Sequence, residues 1–363
     1  MSLNSVTGGG TVERVIQLHK ALLETGVESE ILTIKDFTDE GAAIEGATYL
    51  PCINARWFIP FPERTTVRKL VEQADVIHLM NHWTFLNAWV YLLARKYKKP
   101  YVVCPAGALT IFGRSKWKKY LYQTFIGERI MRDAFGAIAI SKDEIKLMEN
   151  TGIKANKIVH IANGVNERDF SFNNDALFRQ SLGVGSSSYI LFVGRLNEIK
   201  GPDLLLEAFS KLAGKISCDL VFAGPDGGLG EELQLRVKNL NLTNRVHFTG
   251  YLGGDVKSSA YHGAELLVIP SRHEAMSIVA LEAAICGTPV LLTDQCGFSR
   301  LVDIGGAIEV PATIEGLYSG LVEMLGDEVS LNEMGMKVYK FVIRKYTWVR
   351  MAKKFLEMIE KIS

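Results

Sequence analysis

Two cations and two carboxylates define the chemistry open to this chain. Val193-Gly194-Arg195-Leu196 closes an apolar run, and Lys200-Gly201-Pro202 opens the next helical period, with proline suited to a first helical turn. A strand end that delivers Arg195 and Lys200 beside a helix N-terminus suits a diphosphate. Arginine offers a planar fork, lysine a point charge, and the helix end free N–H groups. On this feature alone, a surface Arg and Lys flanking a turn is an equally good reading. Further on, Pro270-Ser271-Arg272-His273-Glu274-Ala275-Met276-Ser277-Ile278 carries a strand through a loop into a helix that begins near Ser277. Glu282 lies inside that helix. Eight helical positions rotate about 800°, so Glu274 and Glu282 are expected to face one ligand. Glu282 stands among Ile278, Val279, Leu281 and Ile285, where a carboxylate is costly to bury without a partner. Sugar and ribose hydroxyls are suitable partners; a glutamate on the solvent face of an amphipathic helix is the plainer alternative.

The elements that position these groups are legible as alternation. Strand-like runs fall at Glu30–Ile34, Asp75–Met80, Tyr101–Cys104, Ala137–Ile140 and Lys157–Ile161, and again at Tyr189–Val193, Asp219–Ala223, Val246–Thr249, Leu266–Ile269 and Pro289–Leu292. Most are apolar at consecutive positions, as in parallel strands covered on both faces. Helical periods lie between them, such as Val12, Val15, Ile16, His19, Leu22 and Leu23, ended by Gly26. The fold class is α/β, with two Rossmann-like doubly wound parallel-sheet domains. The alternation breaks once, at Asn166–Ser188, read as the interdomain connection. Residues 1–170 form the first domain and 171–345 the second, with a helix at 346–363 packing back on the first. A doubly wound domain opens with a strand, yet Gly8-Gly9-Gly10 follows only a poor one, so the first strand is expected to be missing or truncated.

Composition narrows the classes. The chain has 363 residues, 48% hydrophobic and 22% charged, with net charge +1. This is ordinary globular usage; it excludes a disordered tail, a collagen and a coiled coil, and gives no global basic excess for nucleic acid. Charge is mildly basic before about residue 170 and mildly acidic after it. Cys52, Cys104, Cys218, Cys286 and Cys296 are sparse, odd in number and without CxxC spacing, so they read as reduced thiols. No run of about 18 apolar residues spans a bilayer, and no signal peptide is visible. The expected location is cytoplasmic, with peripheral contact at the inner membrane surface admitted by Arg114-Ser115-Lys116-Trp117-Lys118-Lys119-Tyr120. That basic, aromatic helix start suits an anionic membrane or a lipid-linked diphosphate, although a solvated lysine-rich face on a packed helix is the better-supported reading. Arg95-Lys96-Tyr97-Lys98-Lys99 reads as an exposed helix C-terminus. For His78 and His82, packing or a turn hydrogen bond is the better expectation.

Glu274, seven residues, then Glu282, followed by Cys286-Gly287-Thr288-Pro289-Val290, resembles the signature of retaining glycosyltransferase family four, the GT-B glycosyl transferases of group 1. Other segments agree in order. Gly8-Gly9-Gly10-Thr11-Val12-Glu13-Arg14-Val15 resembles the family's first glycine loop, and Asp75–Trp83 its His-Gly-x-Trp strand end. Ile161-Ala162-Asn163-Gly164-Val165-Asn166 resembles Pro-Asn-Gly-Val-Asp. Phe192 through Gly201 resembles the Gly-Arg…Lys-Gly diphosphate segment. Phe222-Ala223-Gly224-Pro225 and Val246–Gly250 resemble strands beside the base.

The resemblance implies two domains facing a cleft and transfer of a hexose, with retention, from a nucleotide-sugar, a UDP-sugar above others, to a hydroxyl of a saccharide or lipid-linked acceptor in polysaccharide or glycoconjugate assembly. It implies that Gly194, Arg195 and Lys200 hold the diphosphate, joined by the N–H groups of Ser277 and Ile278. Glu282 takes the ribose, Glu274 the transferred sugar, and Tyr251 and Leu252 flank the base. Arg195, Lys200 and Glu274 carry catalysis, and Gly9, Gly10 and His82 fall on the acceptor side or in a phosphate loop. No cofactor and no metal is implied, because two cations do the metal's work. Ala106, in Cys104-Pro105-Ala106-Gly107, stands where the family places a His or Arg. A non-catalytic nucleotide-sugar-binding accessory protein is therefore the first rival, and a GT-B sugar-nucleotide epimerase the second. A Rossmann dehydrogenase is not expected, because the Gly194-Arg195 segment lacks the GxGxxG turn and an acidic residue about 20 positions on in the right context.

Overall fold

The computed structural model describes residues 5–35, 44–54, 59–110, 116–182, 187–326 and 328–361. The chain divides into two units, Met1–Asn163 with Trp348–Ser363, and the contiguous Gly164–Thr347.

The second unit is built on six parallel strands. Across the sheet they run Val246–Gly250, Asp219–Ala223, Tyr189–Val193, Leu266–Ile269, Val290–Thr293 and Ala307–Val310. In chain order this is 3-2-1-4-5-6, with the reversal between Tyr189–Val193 and Leu266–Ile269. The consecutive apolar runs explain the arrangement: Tyr189–Phe192, Leu220–Phe222, Leu266–Val268 and Val290–Leu292 are buried throughout, so both faces need cover. Leu205, Leu206 and Phe209 of helix Pro202–Ser210 and Leu317, Leu321 and Met324 of helix Ile314–Leu325 join that core. Strand Ala307–Val310 was not expected; its short Ala-Ile-Glu-Val run is an edge with one neighbour and a half-exposed pattern.

The first unit holds four parallel strands in the order Ile77–Met80, Tyr101–Cys104, Gly136–Ala139 and Ile158–His160. A parallel pair, Ile31–Ile34 with Ala47–Leu50, and an antiparallel pair, Cys52–Asn54 with Ile59–Pro60, lie apart from that sheet. The last three of these strands, of four, three and two residues, are too short to be read from pattern. Ser5–Glu24 is helical, interrupted at Gly9, whose φ of 59° and ψ of −153° are open to glycine alone. Among the described residues no strand precedes it. Gly26, at φ 82°, closes the helix in the left-handed region, its N–H bonding Leu23 O while Val27 N–H bonds Leu22 O.

The described residues of 166–188 do not form a bare linker. Their polar composition hides a turn at Glu167–Phe170 and a helix at Asp175–Leu182, both tied to the second unit. Phe178 packs on Tyr189, Phe170 on Tyr261, and Ser258 Oγ donates to Phe172 O. Val165 N–H also bonds Tyr346 O at 2.8 Å. The unit therefore opens at Gly164, ahead of the expected 171. Helix Trp348–Glu360 belongs to the first unit, with the Phe355 ring 5.0 Å from His78 and Met358 filling the space over Gly136.

Candidate active site

The carboxyl ends of Tyr189–Val193 and Leu266–Ile269 border the point where strand order reverses, the position at which open α/β sheets bind ligands. Gly194 continues the first strand, its N–H on Ala223 O at 2.9 Å. Asn197 then caps a short turn, accepting from Lys200 N–H at 3.0 Å. Gly201 follows at φ 67°; a Cβ there would fall on Pro270 O, so only glycine lets this turn press against the second strand end. The Lys200 side chain runs past Gly194, whose missing Cβ would lie 3.8 Å from Lys200 Cγ.

Lys200 Nζ reaches Glu274 Oε1 at 3.0 Å, while Ser271 Oγ donates to Glu274 Oε2 at 3.2 Å. The Glu274 loop is fixed from behind: Glu274 N–H bonds Gln295 O at 2.9 Å, and Gly297, at φ 61°, lies so close to Ala275 O that no side chain fits. Arg272 ties the two loops together. Its guanidinium donates to both Asp203 oxygens, at 2.8 and 2.6 Å, and to Glu198 O at 2.7 Å. Burial pushes the Asp203 carboxyl up, but the Arg272 bonds and charge outweigh it and hold the group below its usual value.

Helix Ile278–Ile285 begins after Ser277. Glu274 thus lies in the preceding loop, and the helical rotation argument for the two carboxylates does not apply to it. Ser277 is fully buried, and its Oγ has no hydrogen-bond partner among the described residues. With the open N–H groups of a helix start, this leaves donors in search of an acceptor. Glu282 is buried and doubly held: Lys257 Nζ donates to Oε1 at 2.7 Å and Tyr261 OH to Oε2 at 2.6 Å. Burial, then the Glu282 charge, pushes the Tyr261 hydroxyl far up and the Cys286 thiol up.

Of the expected residues, the structure thus joins Lys200 to Glu274 directly, while Glu282 answers to Lys257 and Tyr261. Arg195 is exposed, with no ion pair among the described residues. Tyr251 and Leu252 stand between strand Val246–Gly250 and helix Gly254–His262, Tyr251 half-exposed with its ring over Gly253. Sequence reasoning missed Lys257, Tyr261 and Arg272. An i,i+4 pair of Lys257 and Tyr261 on one helix was the available signal, since such side chains share a face.

The first unit places its candidates differently. Gly9 is the helix kink and Gly10 is exposed behind it. His82 is buried, its Nε2 against Gln123 Oε1 at 2.7 Å and its ring edge-on to Trp83 and Tyr122, so burial lowers its proton affinity. Ala106 sits at φ 52°, and the neighbouring Gly107 N–H donates to buried Glu144 at 2.5 Å. Arg14 is wholly buried. It donates to Ile161 O, Ala162 O and Asn163 Oδ1 at 2.9 to 3.0 Å, and its guanidinium carbon lies 5.8 Å from the centre of the Trp348 ring. Burial, with the Arg14 charge adding, pulls His78 down to about 3.

Residues 8–169 match the model of Glycosyltransferase Family 4, and 173–341 that of Glycosyl transferases group 1. An uncharacterized glycosyltransferase of Methanocaldococcus jannaschii is 32% identical over 58% of this chain and 55% of its own length. The chain spans about half the length of such curated relatives. Sucrose-phosphate synthase from Thermosynechococcus elongatus superposes with a TM-score of 0.81 at 22% identity, covering 100% of this chain and 97% of that one. Anabaena HepE in complex with UDP-glucose gives 0.79 at 18%, covering 98% and 97%. These structural likenesses show the fold, which is GT-B. The two matches together take in most of the chain, which belongs to the group 1 glycosyl transferases, glycosyltransferase family 4.

Proposed function

We propose that this chain is a retaining hexosyltransferase that moves a sugar from a UDP-sugar to a hydroxyl of a saccharide or lipid-linked acceptor, in polysaccharide or glycoconjugate assembly. The observation that carries the reading is the Lys200–Glu274 pair at the strand-order reversal, on loops that Arg272 ties together. Arg195 and Lys200 receive the diphosphate, joined by Ser277 Oγ and the N–H groups of Ser277 and Ile278. Glu282 accepts from the ribose hydroxyls through lone pairs that Lys257 and Tyr261 leave unused. Donor phosphate draws Lys200 from Glu274, whose oxygens then accept from sugar hydroxyls. Tyr251 and Leu252 flank the base. The Gly9–Gly10 kink and the His82 strand end belong to the acceptor side.

The bond from the anomeric carbon to the β-phosphate oxygen breaks with oxocarbenium character. The acceptor oxygen bonds to the same face, and its proton passes to the departing phosphate. Two cations facing the growing negative charge let the step run without a metal. That sucrose-phosphate synthase and a UDP-glucose-bound protein share the fold supports the donor class. The location that fits a nucleotide-sugar enzyme is the cytoplasm, and a lipid-linked acceptor brings it to the membrane from outside the bilayer.

Calorimetry with UDP tests the reading. Lys200→Ala and Glu282→Ala should each weaken binding strongly while the fold survives; unchanged affinity in both removes the site. Ala106 favours one second reading, an accessory protein that binds donor without transfer. Labelled UDP-sugars giving neither transfer nor slow hydrolysis would support it.

A further inference from the structure

Behind Glu274 lie buried hydroxyl and thiol groups that take no part in the reaction proposed above. Ser271 stands just past the carboxyl end of strand Leu266–Ile269, Thr293 closes strand Val290–Thr293, and Cys296 follows it; these side chains are all buried. Thr293 Oγ1 donates to Ser271 O at 2.6 Å, and Ser271 Oγ donates to Glu274 Oε2 at 3.2 Å. Carbonyl and carboxylate oxygens only accept, and each hydroxyl has a single proton, so both directions are fixed. Cys296 Sγ lies 3.3 Å from Thr293 Oγ1 and 3.5 Å from Ile269 O. With the Thr293 proton committed to Ser271 O, the thiol is the donor in that contact too. Donation therefore runs one way, from Cys296 to Thr293, from Thr293 to the Ser271 backbone, and from the Ser271 hydroxyl to the carboxylate. Alanine and valine would fill this space without burying polar atoms. What the hydroxyls add is a fixed direction for Glu274.

We propose that Ser271 and Thr293 are positioning residues for Glu274, holding one carboxylate oxygen in place while the other changes partner. The inference rests on the donor site proposed above. Without donor, Glu274 Oε1 accepts from Lys200 Nζ at 3.0 Å. When phosphate draws Lys200 away, Oε1 loses that partner, and a glutamate side chain rotates about several bonds. A sugar hydroxyl would then have to immobilise the carboxylate as well as bond to it. The Ser271 hydroxyl removes that need, because it keeps Oε2 at the strand end throughout the exchange. Thr293 acts one step further back: it fixes the Ser271 carbonyl, and with it the residue whose hydroxyl aims at Oε2. The consequence is selective. UDP, which lacks the sugar, should not register the loss of either hydroxyl, whereas UDP-glucose should.

The test measures UDP and UDP-glucose affinities of the full chain by calorimetry. Ser271→Ala and Thr293→Val should keep UDP affinity within about twofold of the parent's and lower the ratio of UDP-glucose to UDP affinity by about threefold to tenfold. Thr293→Ser, which retains the hydroxyl, should restore the ratio. In a Glu274→Ala background, Ser271→Ala should change it no further. Ser271→Ala removes one oxygen and opens little space, so it carries the test if Thr293→Val fails to fold. A hydroxyl that only holds the loop would lower both affinities together and act equally without Glu274; that result overturns the proposal. A ratio lowered by Glu274→Ala but unmoved by Ser271→Ala and Thr293→Val removes the positioning role and leaves the donor site standing. A ratio unmoved even by Glu274→Ala removes Glu274 as a sugar ligand, and a parent that fails to bind UDP removes the donor site itself; either result takes this proposal with it.

Discussion

Lys257 and Glu282 form an ion pair of 2.7 Å between two helices that are separate in sequence, with the carboxylate buried and the ammonium near the surface. Replacing Lys257 by Met should leave Glu282 with Tyr261 as its remaining side-chain donor among the described residues, at a cost of about 1–3 kcal/mol. A fall of several degrees in melting temperature should accompany weaker UDP binding. Lys257→Arg should restore most of both. The loss should be smaller for 2′,3′-dideoxy-UDP, which offers Glu282 no ribose hydroxyl; an equal loss for both ligands would mean that the pair only holds the fold.

Gly201 combines a left-handed φ of 67° with contact against Pro270 O. Gly201→Ala should cost about 1–2 kcal/mol for the backbone conformation and more for the overlap. Because the same turn carries Lys200, UDP affinity should fall together with stability, as urea unfolding and calorimetry on one preparation would reveal.

Arg272→Ala removes three hydrogen bonds that join the Lys200 turn to the Glu274 loop. It should slow turnover more than it weakens substrate binding, since Lys200 and Glu274 themselves remain. The Asp203 carboxyl, held below its usual value in the parent, contributes stability that is full above about pH 4 and is lost as pH falls further. In Arg272→Ala that acid dependence should flatten, and an unchanged slope would show that Asp203 is held by something else.

His78 gives the opposite kind of acid response. Unfolded histidine takes up a proton near pH 6.5, whereas His78, its Nε2 shielded from solvent, waits until about 3. Between those values acid favours the unfolded chain. Stability should be full above about pH 6.5 and decline, by an amount on the order of a few kcal/mol, as pH falls toward 3. His78→Phe should flatten this decline, readable as the urea midpoint against pH.

What could be read beforehand was local. Tyr189–Val193 and Leu266–Ile269 announce themselves because central parallel strands need apolar residues at every position, and the spacing of Glu274 and Glu282 lies within one segment. Ala307–Val310 escaped because an edge strand tolerates Glu309 facing outward. The Asp175–Leu182 helix escaped because its buried anchor Phe178 stands in what reads as polar sequence. Lys257 escaped because its partner is 25 residues away, a distance that only the fold closes. The outward face of the helix at Lys116 reads as lysine-rich, whereas Trp117, Tyr120 and Phe125 are exposed there as well.

Arg14 bonds Ile161, Ala162 and Asn163 and lies against Trp348, so the opening helix, the end of the first sheet and the final helix converge on one buried guanidinium. During synthesis the ribosome releases Trp348–Glu360 only after all of Gly164–Thr347 has emerged. The second unit is contiguous and can fold while still tethered; the first must wait, with the surfaces later covered by Phe355 and Met358 bare until Trp348–Glu360 has emerged. The half of the molecule made first is thus the half completed last.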